Sequence, residues 1–316
     1  MLDIRMAKTT NASSFPQDSP SQTFVSVKAI AAGHLLLPFC RVFEDCGHLP
    51  PVEGALIPSF AFLITHPTYG MSMYDLGLKK NNEGYPPAVQ PMLDHIKVEC
   101  PVDAADALQS GGVDPKAVKR VIYSHLHLDH VGDFNKFPTA ELVIGAGGKS
   151  VLADAYPTNP NSIYEEFPAG RQVRYIDFTG ASSEQKVLSP MGTFERAVDF
   201  FGDGSLYLVE APGHIPGHLA AVARVAPNAF VFLAADICHN RLCYAPGTRI
   251  VSPANHVNYE EAKETVERLA RLHHEVPEAV VILAHEKERE EEMPMFPEEL
   301  GPWVAAEVEK RRTERR

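Results

Sequence analysis

The sequence predicts one α/β domain built on mixed β-sheets. Strand-type and helix-type segments alternate along the chain, the pattern of a layered α/β architecture. No short-period repeat appears, and no Gly/Ser-rich linker divides the 316 residues. Residues 24–316 are therefore read as one folded unit behind a lead-in at 1–23.

The elements follow in order. MLDIRMAKTTNASSFPQDSPSQT, residues 1–23, is rich in Ser, Thr, Asn and Pro and has no apolar core. It is expected to be disordered and does not resemble a secretory signal. Phe24–Ile30 (FVSVKAI) predicts a strand, and AFLITHP from Ala61 with MSMYDLG from Met71 predicts a hairpin. Val102–Val118 reads as a helix interrupted by Gly111-Gly112, leading to the strand RVIYSH. ELVIGA from Glu141 is a further strand. Residues 156–189 mix Pro, Asn, aromatic and charged residues without a period and read as a lid or insertion. Next, the turn Gly202-Asp203-Gly204 precedes the strand SLYLVEA, and HLAAVARVAPNAFVFLAAD reads as two strands around Ala226-Pro227-Asn228. Asn258, with Glu261 three residues on, marks a helix start, and Ala262, Val266, Leu269 and His273 share one face. AVVILAH is a buried-type strand ending in His285, EKEREEE a solvated surface run, and GPWVAAEVEKRR a closing amphipathic helix.

Composition narrows the function. With 45% hydrophobic and 22% charged residues, the chain has a soluble globular make-up. A formal net charge of -12 disfavours nucleic acid or an anionic membrane as partner, since both want a basic face. No apolar run is long enough to span a bilayer. Cys40, Cys46, Cys100, Cys238 and Cys243 are an odd number without a C-x-x-C pair, which predicts reduced thiols in the cytoplasm. Nothing in the sequence sets the oligomeric state.

The stretch SHLHLDHVGD, residues 124–133, carries the chemistry. His125, His127, Asp129 and His130 fall within six positions of a chain that has only 14 histidines, so a chance surface run is a poor explanation. On a strand, positions i and i+2 share a face, so His125 and His127 are placed to hold one metal from one side. Asp129 and His130 follow where the strand breaks and are free to turn towards a second metal. Imidazoles with a carboxylate suit zinc, with iron or manganese as alternatives. Further ligands must come from elsewhere, and three candidates sit at strand ends: His214 in APGHIPGH, Asp236 closing FVFLAAD, and His285 closing AVVILAH.

HLHLDH, APGHIPGH, FLAAD and LAH, in this order and spacing, resemble the metallo-β-lactamase superfamily over roughly residues 24–300. SHLHLDHVGD with PGHIPGH is most similar to its lactonase branch. The resemblance implies an αββα sandwich of two mixed β-sheets flanked by helices, with a dinuclear site along one sheet edge. It assigns His125, His127 and His214 to one metal, Asp129, His130 and His285 to the other, and Asp236 to both. Asp75, in YDLG, matches an aspartate that orients the site's loops, and His218 matches a position that bonds backbone beside the site. The implied cofactors are two zinc ions sharing a hydroxide that attacks a carbonyl, with Asp129 passing the proton to the leaving group. The implied substrate is a small cyclic ester or amide, a lactone or lactam.

The chain departs from the acyl-homoserine lactonases at one position. They carry a tyrosine three residues after the bridging aspartate, and here that residue is His239. His239 is expected to touch the substrate, with Cys238 and Tyr244 as further pocket candidates. NNEGYPPAVQPM and YPTNPNSIYEEFP are expected to wall the pocket, because aromatic and proline-rich loops suit a flat apolar ring. Two other readings stand beside this one. A glyoxalase-type thioester hydrolase shares the ligand set but wants a basic cluster that the sequence does not show. A non-catalytic ligand-binding member of the fold would be expected to have lost ligands, whereas all seven positions are filled.

Overall fold

The computed structural model describes residues 15–180, 187–188 and 190–315. Successive side chains on a strand point to opposite faces, so a strand that is apolar on both faces needs cover on both. The chain supplies that cover in four layers. The first sheet runs in the order β1 (Ser26–Pro38), β2 (Gly54–His66), β3 (Gly70–Tyr74), β4 (Arg120–Ile122), β5 (Glu141–Gly145) and β6 (Val173–Ile176). β1–β2 and β2–β3 pair antiparallel, whereas β3–β4, β4–β5 and β5–β6 pair parallel. The second sheet contains β7 (Val187–Leu188), β8 (Ala197–Asp199), β9 (Leu206–Glu210), β10 (Leu219–Ala226), β11 (Ala229–Ala235) and β12 (Ala279–Leu283). Its order is the reverse of the numbering, with β11–β12 parallel and the other pairs antiparallel.

Alternation along β2 shows how the layers are divided. Phe60, Phe62 and Ile64 point into the inter-sheet core, where they meet Leu206, Leu208, Leu233 and Ile282 of the second sheet. Ala61 and Leu63 point outward against the helix Ala104–Ser110. The outer face of the second sheet packs Val222, Phe232 and Val281 against Val266, Leu269 and Leu272 of the helix Tyr259–Glu275. That helix starts as its sequence dictates, with the Asn258 side chain accepting from the Glu261 backbone N–H. Leu300, Val304 and Val308 of the closing helix Leu300–Glu314 complete the inter-sheet core. The architecture is the expected αββα sandwich of mixed sheets.

Several local expectations are corrected. The first strand runs on to Pro38, because Gly33, at φ +97°, accommodates the register shift between Ala31 and His34 that keeps β1 paired to β2. The lead-in does not stay free over its last third: Phe15 is buried edge-on against Phe230, and Asp18 pairs with the buried guanidinium of Arg224. Residues 1–14 lie outside the described residues. Val102–Val118 forms only the helix Ala104–Ser110, capped by Asp103 and stopped at Gly111, followed by a single turn at Pro115–Ala117. In EKEREEE, Glu286 and Arg289 are buried, because the Glu286 carboxylate accepts from the Leu283 N–H and from Arg241. No helix among the described residues is long and apolar enough to cross a membrane.

Leu269 is fully buried beneath the second sheet. Leu269→Ala is expected to cost about 2–5 kcal/mol of stability, the range for a buried leucine that leaves a cavity. Denaturant titration measures the loss, and metal content should not change.

Candidate metal centre

Strand direction brings the ionisable residues together. β3 and β4 run parallel in the first sheet, and β9, β11 and β12 share one direction in the second. Asp75, the SHLHLDH stretch, His214, Asp236 and His285 all follow the C-terminal ends of these strands, so they gather at one edge of the sandwich. The expectation that His125 and His127 project from a strand is corrected. β4 ends at Ile122, because the Ser124 N–H donates to the Asp75 carboxylate (2.7 Å) and the Ser124 carbonyl accepts from Leu219 (2.8 Å). Those bonds draw the backbone out of the sheet and across to the second one. The turn Leu128–Val131 then carries Asp129 and His130, and Gly132, at φ +51°, lets the chain pass close to Leu76.

The seven predicted ligands form two adjoining clusters. In the first, His125 Nε2 lies 2.9 Å and His214 Nε2 3.0 Å from His127 Nδ1. Asp236 Oδ2 closes this group at 3.4 Å from His214 Nε2 and 3.7 Å from His125 Nε2. In the second, His130 Nε2 and His285 Nε2 are 3.3 Å apart, and Asp129 Oδ2 is 3.4 Å from His285 Nε2. Asp236 Oδ1 faces this cluster, 3.3 Å from His285 Nε2 and 3.4 Å from His130 Nε2.

The outward nitrogens of three of these rings are held in place. His130 Nδ1 is 2.9 Å from Asp75, His285 Nδ1 is 2.8 Å from the Pro58 carbonyl, and His125 Nδ1 is 3.0 Å from Ser124 Oγ. Donation through Nδ1–H leaves the Nε2 lone pair aimed inward, as metal ligation requires. Asp75, itself at φ +57°, also accepts from the Ser124 hydroxyl at 2.7 Å, so its carboxylate ties ring and loop together. His218 Nδ1 donates to the Ala211 carbonyl at 2.9 Å, and its Nε2 accepts from the Asp236 N–H at 3.2 Å. Both nitrogens of His218 are thus spent on backbone, as its motif position implied.

Electrostatics fit the same picture. Burial holds His125 and His214 well below the ordinary imidazole value and pushes His127 down to about 4, so these rings are neutral with available lone pairs. Burial opposes charge on His130 and His285 too, but Asp236 outweighs it and raises both, helped by Asp75 at His130 and Asp129 at His285. Ring nitrogens facing one another at about 3 Å need either a proton or a metal cation between their lone pairs. Two convergent imidazole–carboxylate sets therefore fit divalent ions of the zinc type, which displace protons from such ligands on binding.

The pocket candidates divide. His239 lines the cavity of about 840 Å³ that opens onto His127, Asp129, His214 and Asp236. Its Nε2 lies 3.1 Å from Asp236 Oδ2 and 2.8 Å from the Asn255 side-chain nitrogen. Cys238 and Tyr244 do not reach the cavity: both are fully buried in the apolar layer under the second sheet, with the Tyr244 hydroxyl facing Glu286. The chain turns inward there because the motif's apolar residues continue the core of β11. From the two stretches expected to wall the pocket, Pro91, Met92, Ile163 and Tyr164 do so. Sequence reasoning missed Ser124, Asn255 and His256. Ser124 immediately precedes the histidine cluster and was legible as a partner. Asn255 and His256, whose ring packs 5.3 Å from His214, carry no motif signal.

Fold and site together define a metallo-hydrolase scaffold, and comparison with known proteins agrees. Residues 84–285 match the family model of the metallo-beta-lactamase superfamily, and the chain belongs to that superfamily. It is 32% identical to the monooxygenase mpaDE of Penicillium brevicompactum over 92% of its own length, but spans only 37% of that relative. It is 29% identical to the metallo-hydrolase mfmC of Annulohypoxylon moriforme, covering 90% of this chain and 84% of the relative. The gamma-lactamase FDB1 of Fusarium pseudograminearum is 36% identical over 58% of this chain and 45% of its own. Among solved structures, an AiiA variant of B. thuringiensis with N-decanoyl-L-homoserine at its active site superposes with a TM-score of 0.65. At 17% identity it covers 88% of this chain and 99% of its own, a likeness of fold.

Asp75→Asn keeps the shape but leaves a weaker acceptor for His130 and Ser124. Metal affinity measured by chelator competition is expected to fall about 10- to 100-fold, the range for loss of a partner that orients a ligand.

Proposed function

We propose that the chain is a metal-dependent hydrolase that opens a cyclic ester or cyclic amide, with two divalent ions, zinc before iron or manganese, as cofactors. The observation that carries this reading is the division of Asp236: one oxygen faces His125, His127 and His214, the other faces His130 and His285, and Asp129 closes the second set. Both sets border one apolar cavity. When bound, such ions supply Lewis acidity towards a carbonyl oxygen and acidify water.

The residues supply the rest. Asp129 is the one member of the second cluster that lines the cavity, so its carboxylate is placed to take a proton from the attacking water and return it to the leaving oxygen or nitrogen. His239 stands at the cavity wall beside Asp236, where its imidazole meets the scissile group and delivers a proton to a poor amine leaving group. Leu35, Leu37, Met92 and Ile96 exclude water from the opposite side. The gamma-lactamase relative and the lactonase-like fold agree with a ring amide or ester. A glutathione thioester fits less well, since among the described residues Arg41 is the sole lysine or arginine lining the cavity.

Three measurements test the proposal. Elemental analysis of zinc-supplemented protein should find about two ions per chain, and a stable value near one overturns the dinuclear reading. Asp236→Ala should lose metal at both positions. Turnover of a panel of lactones, lactams, thioesters and phosphodiesters should favour the first two classes, and His239→Ala should keep both ions while losing about ten- to a thousandfold in kcat. Undiminished kcat in the metal-replete variant removes His239 from the chemistry.

A further inference from the structure

The cavity wall nearest the candidate metal ligands contains an aromatic ring that neither the ligand set nor the proposed proton transfers use. Tyr164 lies offset-parallel to His127, with ring centroids 6.2 Å apart and planes 15° apart. Both residues line the cavity, so Tyr164 continues the flat face that His127 begins. Its hydroxyl has no hydrogen-bond partner among the described residues, and the ring is therefore not held by its own polar end.

The hold comes from the next residue. Glu165 pairs with the Lys79 ammonium at 2.5 Å, and Lys79 is buried at 4% exposure, donating also to the Gly84 carbonyl at 2.7 Å. Lys79 further sits over the rings of Tyr85 and Phe134. The pair ties the residue next to Tyr164 to the segment after β3, which limits where the backbone that carries Tyr164 can lie. Two backbone bonds between Tyr156 and the 164–166 segment, each 2.8 Å, close the loop around it.

The other walls restrict what lies on this platform. Arg41 and Glu44, the charged residues of the cavity outside the metal-facing group, are engaged by the Ala254 carbonyl and the Tyr259 hydroxyl. Leu35, Met92 and Ile96 face the space apolarly. Tyr164, His127 and Asp236 line the same cavity, so a planar ring resting on Tyr164 would lie on the wall that also carries candidate metal ligands.

We propose that Tyr164 is a substrate-contacting, specificity-determining residue that makes the cavity prefer ring-fused aromatic esters or amides, and that the Lys79–Glu165 pair positions it. This rests on the cavity being the substrate site of the proposed hydrolase. The test uses ligands that cannot be hydrolysed, so binding is read separately from turnover. Affinities of 1-indanone and cyclopentanone for the metal-replete protein are measured by titration calorimetry or ligand-observed NMR, with metal content and thermal midpoint as controls.

Wild type should prefer 1-indanone. Tyr164→Ala and Tyr164→Leu should each lower that preference about three- to tenfold, the equivalent of one ring pair, and Tyr164→Phe should keep it. The leucine variant separates a planar platform from mere apolar area. Glu165→Gln, with Tyr164 intact, should lower the preference while cyclopentanone affinity and metal content hold. No preference in wild type, or a preference that survives in the alanine or leucine variant, overturns the role of Tyr164. A preference unchanged in Glu165→Gln overturns the positioning role. If the preference behaves as stated but no lactone or lactam is turned over, the hydrolase reading fails and the aromatic platform stands.

Discussion

The carboxylate of Asp236 is the constraint around which the site is arranged. It is buried at 2% exposure between two sets of imidazoles. Burial alone would push such a group towards its neutral form, but His130, His285 and His239 outweigh it and hold the carboxyl well below the usual carboxylate range. A charge this deep is tolerable only when cations or donors face it on every side. The surrounding backbone keeps it there. Ala235, at φ +46°, turns the chain out of β11 just before the aspartate, and the Asp236 N–H is fixed on His218. His218 is fixed in turn on the Ala211 carbonyl, so its ring links the loop between β9 and β10 to the end of β11.

This arrangement explains why ligands scattered over 161 residues of sequence meet within a few ångströms. Parallel strands in each sheet end at the same edge, and a residue just past a strand end projects over that edge without leaving a backbone group unpaired in the core. Ser124 joins the two sheets there: its carbonyl accepts from Leu219 of the second sheet, and its N–H and hydroxyl both donate to Asp75 of the first. The same short motif thus supplies ligands and the seam that aligns them.

The parts legible in sequence were those governed by local period or by crowded chemistry. Asn258 with Glu261 set the helix start, alternation marked β9, the turn Ala226-Pro227-Asn228 divided β10 from β11, and H-x-H-x-D-H announced a metal site. Where long-range contacts decided, local reading failed. RVIYSH has strand propensity to its end, but the pull of Asp75 and Leu219 stops β4 at Ile122. EKEREEE looks solvated, yet Glu286 turns inward, where its carboxylate accepts from Arg241, 45 residues away, and from the Leu283 N–H. Cys238 and Tyr244 lie within eight residues of Asp236 and still face away from it, because sequence distance past a strand end does not encode direction. The pairing of Lys79 with Glu165 spans 86 residues and had no local signature at all.

Metal centre and cavity differ in how tightly the fold determines them. The ligands follow the ends of strands, and the outward nitrogens of His125, His130 and His285 are tied to Ser124, Asp75 and the Pro58 carbonyl. Beyond the end of β1 at Leu35–Pro38, the cavity walls come mostly from short helical turns and irregular segments around residues 39–47, 90–96, 163–164 and 252–255. Chemistry that stabilises charge on a carbonyl oxygen is indifferent to the ring that carries it, so discrimination between substrates falls to those segments. Loops on a rigid scaffold change shape at little cost to stability. Tyr164 stands apart within them, because the Lys79–Glu165 ion pair beside it ties its loop to the segment that follows β3.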